Sequence, residues 1–172
     1  MALHRSWMVA MGLCTLLASC QVKPGEYRVY RVANEETMES NGCYPSPPGQ
    51  DITGDSTTVR AGQTFAIYAA DADTYFLDFE MISLVGIRDA NEYSFHGETV
   101  DVSTQAGPTV TTTTIADVDV TIEGKTISGV STVEITTNCS GMGCPDPANS
   151  VCTRTTEFQG SELKDVELQH GI

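Results

Sequence analysis

The feature that most constrains this chain is two-residue alternation. In residues 117–123, Val118, Val120 and Ile122 alternate with Asp117, Asp119, Thr121 and Glu123. A strand turns successive side chains to opposite faces, so this pattern buries one face and wets the other. Tyr75, Leu77, Phe79 and Met81 alternate in the same way with Phe76, Asp78 and Glu80. After the first twenty residues, no helix-period pattern extends beyond two turns. An all-β fold is expected.

Turn residues divide the chain into short, sequential strands. The first is expected at 26–32, followed by an irregular Pro-rich stretch at 33–56. Thr57 and Val59 are expected to face Phe65 and Ile67 across a turn at Ala61-Gly62-Gln63, and 71–74 makes the next turn. Near Ser83 the apolar phase shifts, to Ile82 and Leu84 and then to Val85 and Ile87, which implies a bulge or a turn. Asp89-Ala90-Asn91 turns the chain into a strand over 93–102. There Tyr93 and Phe95 are odd but Val100 and Val102 even, and a bulge at Gly97 would absorb the mismatch. Gly107-Pro108 opens the strand that carries Val118. Gly124-Lys125 is the preferred two-residue turn, because it sets Ile122 opposite Ile127 and keeps the apolar face intact. Val133 and Ile135 point inward, 138–150 is a loop, 151–158 is a strong strand and 162–168 a weaker strand or tail.

About eight strands in meander order give an antiparallel up-and-down barrel, with a β-sandwich as the alternative. In length and strand order the chain resembles lipocalin-like barrels, some of which are bacterial lipoproteins. That likeness implies an interior ligand site, here lined by Tyr75, Leu77, Phe79, Phe95 and Val120. A solid side-chain core is the competing expectation.

The first twenty residues have their own logic. Arg5 and His4 precede a mostly apolar run from Trp7 to Leu17, and Leu17-Ala18-Ser19-Cys20 closes it. The run is shorter than the ~20 apolar residues that span a bilayer and fits a removable export signal. The four closing residues resemble the lipobox of a bacterial lipoprotein signal peptide. The resemblance implies cleavage between Ser19 and Cys20 and acylation of Cys20, with the lipid bilayer as a partner. Residues 1–19 are then removed, 20–25 form a lipidated tether, and 26–172 form one β domain. Gln21 in place of aspartate after the cysteine implies the outer membrane in a two-membrane cell.

Loss of residues 1–19 removes one basic residue and leaves 153 residues with a net charge of −15. A field of that sign repels phosphates, so nucleic acid is not an expected partner.

Four cysteines remain beyond Cys20: Cys43, Cys139, Cys144 and Cys152. An even number in an exported chain reads as two disulfides. Of three connectivities, Cys139–Cys152 with Cys43–Cys144 is preferred, and Cys43–Cys139 with Cys144–Cys152 stands close behind. Reduced, Cys139, Met142 and Cys144 would make a soft-metal set; paired, they cannot.

Sites for chemistry are sparse. The chain has no Gly-x-Ser-x-Gly elbow, and only His96 and His170 remain as histidines. His96 is expected on the strand face opposite Tyr93 and Phe95, in solvent. Asp71, Asp73 and Asp78 are too irregular for an EF-hand, with Phe76 and Ile82 at positions that need Gly and Glu; turn capping suits them better. Asp117 and Asp119 share one strand face, as a glycosidase pair or as a wet surface.

The sequence therefore reads as a membrane-anchored extracytoplasmic lipoprotein acting as a binding or envelope-interaction module. No catalytic, metal or cofactor residues are expected in it. A carboxylate-using extracytoplasmic hydrolase and a purely structural surface lipoprotein are the alternatives.

Overall fold

A computed structural model describes residues 22–43, 62–79, 82–104, 107–144 and 148–166. The lipobox, Cys20, Thr57, Val59, Met81 and His170 lie outside them. The described residues form eight antiparallel strands in chain order, closed into a barrel: β1 (Tyr27–Glu39), β2 (Gln63–Ala69), β3 (Tyr75–Phe79), β4 (Ile82–Asp89), β5 (Glu92–Thr104), β6 (Thr109–Glu123), β7 (Thr126–Ser140) and β8 (Asn149–Glu162). Each strand pairs with its sequence neighbours, and β1 pairs with β8 to close the ring. The up-and-down barrel is the observed fold, not the sandwich.

Closure requires stagger. From Tyr27 the cross-strand partners run through Tyr68, Phe76, Val85, His96, Asp117, Thr132 and Thr155, and the circuit returns to β1 at Met38. That offset includes one extra residue of β1, inserted between Asn34 and Thr37.

The lower end of the barrel, where β1 begins, holds the core. Val118, Val120 and Ile122 are buried and Asp117 and Asp119 exposed, as the alternation required. The β6–β7 hairpin has the expected register, with Ile122 opposite Ile127 and Gly124 at φ 63°. An eight-stranded barrel is just wide enough for side chains to fill it, and here rings do so. Phe65 meets Phe158 edge-on at 5.1 Å and Phe79 at 5.5 Å, while Tyr75 meets Tyr93 edge-on at 5.2 Å. Of the five residues expected to line a ligand site, Tyr75, Leu77, Phe95 and Val120 are buried in this cluster and Phe79 packs against it. They are core.

Several expectations need correction. β1 does not stop at Val32 but continues to Glu39, paired there with β8: Thr37 Oγ1 bonds Thr156 Oγ1 at 2.8 Å, and Arg154 pairs with Glu39 at 2.9 Å. That half shows no apolar alternation because neither of its faces is buried. The expected loop at 138–150 is shorter, since β7 reaches Ser140 and β8 starts at Asn149. Both edges of β2 are taken by β1 and β3, with Phe65 opposite Tyr30 and Phe79.

The first phase shift is met by a turn, one of its two expected forms, and the second is not a bulge. The chain reverses between Phe79 and Ile82, after which β4 is regular, and β5 pairs with β6 without interruption past Gly97. Val85, Ile87, Val100 and Val102 simply face outward. Gly97 continues the inward row of β5, and a Cβ there would lie 2.4 Å from a Leu84 methyl. Its missing side chain makes room for Leu84.

The disulfides are Cys43–Cys152 and Cys139–Cys144, the connectivity that spacing did not favour. In the β7–β8 register Cys152 lies opposite Ile135, four residues along the strand from Cys139. Four residues span roughly 13 Å of strand, well beyond the Cα separation that a disulfide bridges.

Residues 22–25, expected as part of a tether, are docked on the barrel. Val22 is fully buried, and its N–H donates to the Tyr93 hydroxyl at 3.4 Å. Pro24 bridges to Ala69, and the Gly25 N–H donates to the Ala69 carbonyl at 3.1 Å. An apolar residue at 22 gains more in the barrel mouth than in water.

Candidate functional site

The core fills the lower lumen, which leaves the outer wall beside it as a surface for recognition. Outward residues of β4, β5 and β6 and the turn before β3 bound a groove of about 560 Å³. Val85 and Ile87 of β4 give it an apolar side and are 50% and 69% exposed. Ser94 and His96 of β5 lie beyond them, opposite Asp119 and Asp117 of β6. Asp73 and Thr74 close the lower corner.

The register dictates the polar contacts. His96 Nδ1 lies 2.7 Å from Asp117 Oδ1, and Ser94 Oγ donates to Asp119 Oδ1 at 2.7 Å. Directly opposed residues on one sheet face come within such reach. The histidine faces solvent, as expected from its phase against Tyr93 and Phe95. Asp117 and Asp119 share the outer face, as expected, and each already has a partner on β5. Ser94 bonds Asp119, so serine, histidine and aspartate make two separate pairs rather than a nucleophile relay.

The Asp71–Asp73–Asp78 cluster disperses. Asp71 Oδ1 accepts the N–H groups of Asp73 at 2.9 Å and Thr74 at 2.8 Å, capping the turn into β3. Those bonds, the Asp73 amide foremost, favour the charged form and hold the Asp71 carboxyl below its usual range. Asp73 joins the groove, while Asp78 lies on β3 opposite Ser83. Among the described residues no group of three or more His, Cys, Asp or Glu side chains converges on a point that could hold a metal ion. Cys139 and Cys144 are bonded to each other and offer no thiolate.

A second outer feature leads into the groove. Tyr68 of β2 and Phe76 of β3 stack at 5.1 Å, and Phe76 is the cross-strand partner of Val85. Tyr27, 42% exposed, is the partner of Tyr68 on the other side. The circuit of partners is thus apolar from Tyr27 to Val85 and turns polar at His96. The sequence signal for this stripe is the apolar pair Val85 and Ile87, out of phase with Ile82 and Leu84.

No known family, no curated protein and no solved structure matches this chain, so its geometry and chemistry carry the functional reading.

Proposed function

We propose that this protein is a lipid-anchored extracytoplasmic binding module that contacts its partner through the outer wall of β2–β5, not through the barrel lumen. The carrying observation is the outer-face stripe Tyr68, Phe76, Val85 and Ile87, contiguous across three strands, with Val85 and Ile87 exposed and Tyr68 and Phe76 half-buried. Contiguous exposed apolar surface on a soluble domain marks interaction sites. Three carboxylates, Asp73, Asp117 and Asp119, border it, so a protein segment with apolar and basic side chains fits best. The anchor follows from the lipobox resemblance at Leu17–Cys20, and the paired cysteines suit an oxidising compartment.

Two measurements test the two halves. Cys20→Ser should abolish incorporation of labelled palmitate, and persistent labelling refutes the anchor. A photo-crosslinker at Ile87 in living cells should give discrete protein adducts that Val85→Lys removes. Adducts no different from those at Thr153, on the opposite wall, refute the binding face.

A further inference from the structure

The tertiary structure seats Val22 two residues beyond the expected lipidation site. Two residues of extended chain reach about 7 Å at most. Val22 is immobilised: fully buried, its N–H donating to the Tyr93 hydroxyl, and followed by a folded turn in which the Glu26 N–H donates to the Lys23 carbonyl at 2.8 Å. A chain acylated at Cys20 therefore has no slack in which to swing.

We infer that the barrel stands on the bilayer by its lower rim, with the rim turns against the lipid headgroups and the Cys139–Cys144 loop directed away. This orientation rests on the lipid-anchor reading above. The turns 70–74, 90–91 and 124–125 lie at the same end as Val22, because β2, β4 and β6 all run down to it. Their surface is polar and exposed, suited to headgroups rather than to insertion. With Glu26 and Asp165 counted beside Asp71, Asp73, Asp89, Glu92 and Glu123, acids outnumber Lys23, Lys125 and Lys164, so the turns and chain ends of the rim have no net attraction of their own for an anionic surface. Apposition comes from the short anchor. With 15 residues in β6 and the usual tilt of barrel strands, the far rim would stand roughly 35–40 Å above the lipid.

The mature chain offers a clean background for a test, since Trp7 in the signal is its only tryptophan. Mature acylated protein, residues 20–172, carrying Lys125→Trp (lower turn) or Met142→Trp (upper loop) would be reconstituted into phosphatidylethanolamine–phosphatidylglycerol vesicles with a nitroxide on the headgroup. Quenching at 125 should exceed that at 142 at least threefold. An eight-residue Gly/Ser spacer between Gln21 and Val22 should collapse the difference. Equal quenching in protein shown acylated by mass spectrometry overturns the orientation while sparing the anchor. A non-acylated Cys20 in the same preparation overturns both. A spacer without effect shows that the short anchor does not set the orientation, and overturns the inference as well.

Discussion

The N–H of Val22 donates to the hydroxyl of Tyr93 at 3.4 Å, joining the start of the described chain to a residue 71 positions later. The apolar side chain of Val22 plugs the barrel beside it. Val22→Ala should therefore cost about 2 kcal/mol in urea denaturation, by lost burial and the cavity left behind. A residue in a free tether would cost nothing, and an unchanged midpoint would refute its place in the core.

Tyr30 and Tyr93 should titrate late. Burial is the largest cause in both and pushes each phenol above its ordinary value of 10; for Tyr93 the Val22 amide and Arg88 oppose it. A folded pKa raised above the unfolded one gives stability that is fully present below pH 10 and lost as pH rises through the folded value. Tyrosinate absorbance of the native protein should lag behind that of the urea-unfolded protein above pH 10. The remainder should appear together with loss of the far-ultraviolet β signal. Coincident native and unfolded curves would contradict the burial.

The two disulfides should differ in worth. Cys43–Cys152 spans 109 residues and Cys139–Cys144 spans five. Loop-closure entropy assigns roughly 4–5 kcal/mol to the first and roughly 2 kcal/mol to the second. Paired Cys→Ala variants compared by chemical denaturation should rank in that order, and partial reduction with peptide mapping should recover these two pairs and no others.

Two glycines give a sharper contrast. A Cβ at Gly129 would lie 2.1 Å from the Asp119 carbonyl oxygen and 2.6 Å from the Phe158 ring, whereas at Gly97 it meets only the Leu84 side chain. Backbone cannot yield as a leucine methyl can, so Gly129→Ala should cost about 3 kcal/mol and Gly97→Ala about 1 kcal/mol. Equal losses in thermal or urea melts would mean that β6 and β7 do not approach as closely as described.

Local chemistry was legible in the sequence wherever one residue's neighbours decide its state. The Gly124-Lys125 turn, the Asp71 cap and the outward His96 follow from turn preferences and a two-residue period, which act over a few residues. The groove was only half legible. His96, Asp117 and Asp119 could be set on a wet face, but their pairing across β5 and β6 needed the register. Val85 and Ile87 misled, because an exposed valine and a buried one look alike in a pattern. Asn34 to Glu39 shows no alternation, because neither face of that half of β1 is buried.

Sequence alone determined that the described chain is a meander of antiparallel strands and which face of β6 is dry, since both arise from side-chain period and turn chemistry. Tertiary structure decided which cysteines meet, that the lower lumen is filled, that Val22 belongs to the core, and that an apolar stripe lies on the outer wall. Each of these depends on strand stagger around a closed ring, which brings together residues far apart in the chain. Stagger is set by the packing of all eight strands at once, so no short stretch encodes it.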